Sequence, residues 1–233
     1  MSIKNIFIIN LLLLININLF SQNKIEELFD ETVGKENLPL NNGYFYFNTL
    51  KSIDTHPFLI NNNFIIGELT FENQNYYSVN LKYDIFRDLL VFKPFGESEN
   101  YGVVLIEKKI SEFKIYDKKF INLSLLANDS LQDINGFYEE NLKTNQFTFF
   151  IKHKKERREF EKNQIKYNDF EIYNTYLIYH EDKYYRVKNK SDIVAVFPKL
   201  KSEIKNFYNL NTLLLKENKT LFYEKLFPKI LES

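Results

Sequence analysis

From Tyr44 to about Lys188, apolar and polar residues alternate in short runs. Tyr77, Val79, Leu81 and Tyr83 fall on one face of an extended chain, with Ser78, Asn80 and Lys82 on the other. Phe113 and Ile115 alternate with Glu112 and Lys114, and Ile121, Leu123 and Leu125 with Asn122 and Ser124. Phe147, Phe149 and Ile151 form another inward set, and Phe170 and Ile172 another. Successive side chains of an extended chain point to opposite sides, so this period marks strands with one buried face. The links Glu72-Asn73-Gln74-Asn75, Asp117-Lys118, Lys143-Thr144-Asn145 and Glu181-Asp182-Lys183 have hairpin length. Segments 88–93 and 102–106 are apolar on both faces and are expected at the centre of the core. The pattern predicts a mainly β (α+β) protein. Its body, residues 44–190, is an antiparallel meander of about ten strands forming a barrel or a sandwich.

After residue 190 the period changes. Ser191 is a candidate N-cap for a short helix from Asp192 to Phe197, with Asp192 in the favourable first turn. Pro198 suits the first turn of a following helix, along which Leu200, Ile204 and Phe207 recur at helical spacing. A last helix is expected around 218–231, with Leu221, Phe222 and Leu226 apolar and Pro228 bending or ending it. Residues 191–233 are too few to be stable alone, so this helical segment is expected to pack on one end of the sheet. Upstream, residues 22–43 are polar and close on the turn signal Asn41-Asn42-Gly43, with a short helix expected at 24–31.

Residues 1–21 read as a secretory signal peptide. Lys4 gives the positive n-region, Ile6–Ile9 and Leu11–Ile15 the apolar core, and Ser21 a small residue before the expected cleavage at Gln22. A spanning helix needs roughly 20 apolar residues, and Asn10, Asn16 and Asn18 interrupt this stretch. The expected location is outside the cytoplasm: periplasmic, outer-membrane-associated or extracellular. No cysteine follows the cleavage point, so no lipid anchor is expected there.

Composition narrows the chemistry. Without Lys4, 30 basic residues stand against 31 acidic ones, which offers no electrostatic case for nucleic acid as a partner. The chain has no cysteine, so disulfides, thiolate zinc sites and cysteine nucleophiles are excluded. Ala127 and Ala195 are the only alanines, in a chain rich in Asn, Lys, Ile, Phe and Tyr. Such a composition generates Lys runs, Tyr pairs and Asn-x-Ser/Thr triplets (Asn122, Asn128, Asn189, Asn218) without functional cause. Asp129-Ser130-Leu131 resembles the O-glycosylation triplet of some exported Bacteroidota proteins.

Candidate reactive groups are sparse. His56, His153 and His180 lack the HxH or HxxxH spacing that sets two imidazoles on one metal, and no ligand or catalytic role is expected of them. There is no GxSxG, and six glycines supply no phosphate-cradling loop. Glu139 and Glu140 are adjacent on a strand and so point to opposite faces, which prevents them from acting as one site; both are expected as solvated hairpin charges. The run Lys152-His153-Lys154-Lys155-Glu156-Arg157-Arg158 is the densest basic stretch. Lys152, Lys154, Lys155, Arg157 and Arg158 form a candidate anion contact, weighed against a plain solvated turn. Tyr76-Tyr77 and Tyr184-Tyr185 could stack on sugars, but cross-strand pairing explains them as well. No cofactor is expected.

Three blocks carry a resemblance. They are His56-Pro57-Phe58-Leu59 with Phe64–Phe71 and Val79–Val91; Gly136-Phe137-Tyr138; and Tyr184–Asp192 with Phe197–Phe207. In order and spacing they resemble a family of uncharacterised exported proteins of Bacteroidota, with His56 standing where that family has a small residue. The resemblance implies export and a mostly β fold, and carries no activity. Within the first block, Asp84 and Asp88 can bind nearby backbone N–H groups and Arg87 can pair with one of them, so these three are read as a structural turn motif. The expected function is a non-enzymatic envelope protein that binds another envelope protein or stabilises an assembly. The alternative is a binder of a small lipid or glycan in a barrel mouth. A hydrolase ranks third. A transmembrane barrel ranks last, since the strands are shorter than the roughly 9–11 residues needed.

Overall fold

The structure, a computed structural model, describes residues 38–126 and 134–231. The expected signal peptide, the helix at 24–31, Asn128 and the Asp129-Ser130-Leu131 triplet lie outside the described residues. Thirteen strands are present among those described. The first seven are β1 (Tyr44–Phe45), β2 (Ile65–Phe71), β3 (Gln74–Asp84), β4 (Leu89–Lys93), β5 (Val103–Val104), β6 (Ile110–Ile115) and β7 (Lys118–Asn122). The rest are β8 (Phe137–Lys143), β9 (Phe147–Lys152), β10 (Lys155–Lys162), β11 (Ile165–Ile172), β12 (Thr175–His180) and β13 (Lys183–Val187). Eleven form one antiparallel sheet in the order β1-β5-β4-β3-β2-β6-β7-β8-β9-β12-β13, while β10 and β11 form a separate ribbon. The sheet does not close, because its end strands β1 and β13 do not pair with each other. The architecture is therefore mainly β, as the alternation predicts.

Four hairpins turn on two residues that both have positive φ: Glu72-Asn73, Tyr116-Asp117, Asn163-Gln164 and Glu181-Asp182. This backbone matches the right-handed twist of paired strands, which is why it serves tight hairpins. The sequence pattern locates three of them and misses the ribbon's turn. It also assumes unbroken alternation. On β3, Ser78 has a positive φ and the register against β2 shifts between Gly67 and Leu69. This bulge inserts one residue, so Tyr76, not Tyr77, joins Val79, Leu81 and Tyr83 in the core. Beyond β7 the chain leaves the strand for a 3-10 turn, Leu123–Leu125. Asn122 is consequently buried, its amide donating to the Glu107 and Ile110 carbonyls at 2.9 Å each, and Leu125 is exposed. Ile172 is exposed too, because the ribbon carries it away from the main sheet.

The helices follow closely from the tail pattern: α1 (Lys190–Val196), α2 (Lys201–Leu210), α3 (Thr212–Glu217) and α4 (Lys219–Leu231). The cap of α1 is Asn189, not Ser191, and forms a capping box with Asp192. Pro228 lies inside α4, which runs on to Leu231. None of the described helices is long and apolar enough to cross a membrane.

Two cores share one face of the sheet. The first gathers residues of β2 to β8 around Tyr83, Phe113, Phe120 and Phe137. Phe113 and Phe120 stack at 4.7 Å, with the Tyr83 ring edge-on at 5.3 Å from each. The second joins Phe147, Phe149, Ile151, Tyr176 and Ile178 to Ile193, Ile204, Phe222, Tyr223, Leu226 and Phe227 of the helices. On the opposite face, Leu123, Tyr138, Phe150 and Leu177 make a smaller cluster.

Candidate functional site

The Asp84–Asp88 turn is built around a carboxylate with no exposure. Asp84 Oδ1 accepts from the backbone N–H of Phe86 (3.1 Å) and Arg87 (3.0 Å). Its Oδ2 takes the Arg87 guanidinium at 2.6 Å and the Tyr46 hydroxyl at 2.8 Å. Burial, and then the Asp84 charge, push the Tyr46 phenol well above its ordinary range. Asp88 differs from the expectation. It sits at positive φ and binds side chains, taking the Tyr83 hydroxyl at 2.5 Å and the Lys152 ammonium.

The basic run is neither a solvated turn nor one anion surface. It spans the end of β9, a two-residue link and the start of β10, so its members disperse. Lys152 is buried between Asp88 and the Asn135 carbonyl, and its ring-face contact with Tyr138 is 4.9 Å. Burial lowers the Lys152 pKa, against the opposing pull of Asp88. Lys155 is buried as well, donating to the carbonyls of His56 (2.7 Å) and Phe58 (2.9 Å). Lys154, Arg157 and Arg158 are exposed, and Arg158 faces Asp169 across the ribbon at 3.6 Å. Lys152 thus joins the Asp84–Asp88 turn, Lys155 ties down the His56–Phe58 segment, and the exposed cations stay apart.

A second polar network overturns the reading of Glu139 and His153. Glu139 is 4% exposed. It lies on β8 between Phe120 of β7, in the first core, and Ile151 of β9, in the second. It therefore occupies the seam of the two cores. Lys118 Nζ donates to both its oxygens (2.9 and 3.1 Å), Asn141 Nδ2 to Oε1 (2.9 Å), and His153 Nε2 lies 2.5 Å from Oε2. Burial pushes this carboxyl up, but the hydrogen bonds from His153, Asn141 and Lys118 outweigh it and hold the group down at about 2. Asn141 Nδ2 also reaches Glu224 on α4 at 3.1 Å, so the network ties the sheet to the tail. Glu140 points elsewhere, toward Lys143 at 3.4 Å.

Pattern parity could have found this network. Glu139 continues the inward register of Phe137, and His153 that of Phe149 and Ile151. Nothing in the sequence signals Lys118, Asn141 or Glu224 as their partners, because these come from β7, the β8 bulge and α4.

A cleft of about 860 Å³ opens beside the network, between the ends of β12 and β13 and the start of α4. Lys118, His153, Asn174, Tyr176, Thr220 and Glu224 are among its lining residues. Thr220 Oγ1 accepts from Asn174 Nδ2 at 3.1 Å and lies 2.8 Å from the Tyr176 hydroxyl. Among the described residues, no group of three or more His, Asp or Glu side chains is arranged to hold a metal ion. Comparison with protein-family models, with curated proteins and with solved structures gives no match to this chain.

Proposed function

We propose that this chain is a non-enzymatic exported protein of the cell envelope, acting as an interaction module whose binding surface is the cleft beside α4. One observation carries the reading. The cleft has polar lining groups already organised before any ligand arrives, since Glu139 behind them holds Lys118 and His153, and Asn141 holds Glu224, by direct hydrogen bonds. Its volume falls in the roughly 300–1,000 Å³ range of small-ligand and anchor sites. Glu139 is suited to scaffolding and poorly suited to acid catalysis: it is held ionised, and donors occupy both its oxygens. A ligand in the mouth of the sheet is disfavoured, because Phe113, Phe120, Phe137 and Tyr83 fill that space. Export is supported by the charge, apolar core and small-residue order of residues 1–21.

The test is affinity purification of the tagged protein from its native envelope, alongside a rim variant carrying Lys188→Glu and Lys219→Glu. A reproducible co-purifying partner or small molecule that the rim variant loses supports the cleft as the binding surface. Equal capture by both proteins would move the binding surface elsewhere.

A further inference from the structure

We infer that the folded chain joins Asp88 to Lys152 by an isopeptide bond, a covalent staple between its two cores. The Lys152 side chain is only 7% exposed, and its Nζ lies directly against Asp88 Oδ2. The Asn135 carbonyl accepts from the same Nζ at 3.0 Å and fixes its position. At the other carboxylate oxygen, the Tyr83 hydroxyl donates to Asp88 Oδ1 at 2.5 Å. That phenol is packed among Phe113, Phe120 and Phe137, and burial holds its pKa well above the ordinary value, so it keeps its proton. Gly136 closes a further side with bare backbone. Its φ is +73°, and a Cβ there would collide with Asp88 Oδ2 and Lys152 Nζ. Amine, carboxyl and a fixed donor are thus held together before any reaction, the condition under which an intramolecular step gains most.

The ion pair is the starting state. Burial lowers the Lys152 pKa against the pull of Asp88, which brings the neutral amine within reach. Moving one proton from Nζ to Oδ2 leaves an amine and a carboxylic acid, with no charge to solvate in a buried place. The amine lone pair then attacks Asp88 Cγ, and the Tyr83 hydroxyl meets the charge that develops on Oδ1. A second Nζ proton passes to Oδ2, the Cγ–Oδ2 bond breaks and one water departs. One N–C bond replaces one C–O bond, without oxidant or reductant. Asp88 is 26% exposed, which gives the water a way out. The surroundings match the product: the Asn135 carbonyl serves the single amide N–H, and Tyr83 serves the amide oxygen. Asp88 lies beside β4 of the first core and Lys152 ends β9 of the second, 64 residues apart. The chain has no cysteine with which to cross-link them otherwise.

The experiment is mass spectrometry of the purified, denatured chain, intact and after proteolysis. The chain is expected to be lighter than its sequence by one water, and its digest to contain a branched peptide joining the Asp88 segment to the Lys152 segment. Lys152→Arg keeps the cation and should restore the missing water. Asp88→Asn, a residue that tolerates positive φ, should form the same bond with loss of ammonia and arrive at the same final mass as the wild type. Tyr83→Phe should slow the linkage by about tenfold or more in a time course of freshly synthesised chain. A wild-type chain of full mass that yields the two segments only as separate linear peptides overturns the inference, whether or not any variant folds. A water loss that survives in Lys152→Arg also overturns it, because the aspartate has then cyclised on its own backbone.

Discussion

Glu139 shows how one residue can couple stability to pH. Its folded value, about 2, lies below the ordinary 4.5. As acid is added, the unfolded chain therefore takes up this proton first. The stabilisation is fully present above about pH 5 and drains away as the pH falls toward 2. A shift of this size corresponds to a contribution of order 3 kcal/mol. Urea unfolding of the wild type at a series of pH values should show that slope. Glu139→Gln should be less stable at pH 7 by a similar amount and show a flatter acid limb; an unchanged limb would count against the assignment. The residue was half legible. Parity with Phe137 would place it on the inward face, yet a lone glutamate in a charged chain reads as solvated, as it is read from the sequence, unless its three donors are known. Those donors lie 21, 14 and 2 residues away, and only the strand order brings the two distant ones together. Asp84 was more legible, because its backbone acceptor role is local.

Among the elements, hairpins and helices were readable because their causes lie within a few residues of each other. The β3 bulge was not, since nothing about Ser78 announces a positive φ. The ribbon turn offers a direct test of how much the loop chemistry matters. Lys162 and Ile165 pair across Asn163-Gln164, and both turn residues have positive φ. Asn-Gly is the favoured pair for this turn, and glycine avoids the steric cost that a side chain meets there. Gln164→Gly should stabilise the ribbon by up to about 1 kcal/mol, the relief of the left-handed steric cost less the extra freedom glycine gives the unfolded chain. Hydrogen exchange of the β10 and β11 amides should slow by about two- to fivefold. Unchanged or faster exchange would show that the turn is not limiting.

For the molecule as a whole, the decisive fact is that the second core is completed by the tail. Phe149 meets Phe227 at a ring separation of 4.2 Å, and Tyr176 meets Tyr223 at 4.7 Å. Leu226 is fully buried in the same cluster. Leu226→Ala should cost about 2–5 kcal/mol and release the tail together with the sheet, in one transition followed by both near- and far-ultraviolet circular dichroism. Two separate transitions would mean that the tail is an independent unit. The helical stripe predicted that the tail packs on the sheet, but not which strands receive it. Strand order is a global property: β2 bonds to β6 across some forty intervening residues, and β9 bonds to β12, and no local pattern encodes either choice.

That last pairing has a kinetic side. Lys152 of β9 faces Thr175 of β12, and the whole ribbon lies between them. Bringing those two strands together from an open coil means closing a loop of about twenty residues, an entropic cost that grows with loop length. The ribbon changes the path. Once Asn163 and Gln164 turn and Lys155 meets Ile172, the unstructured span shrinks to a few residues on either side. The excursion then acts as a splint that delivers β12 to β9 in register. Speed of assembly, more than final stability, is what shortening or loosening it would change.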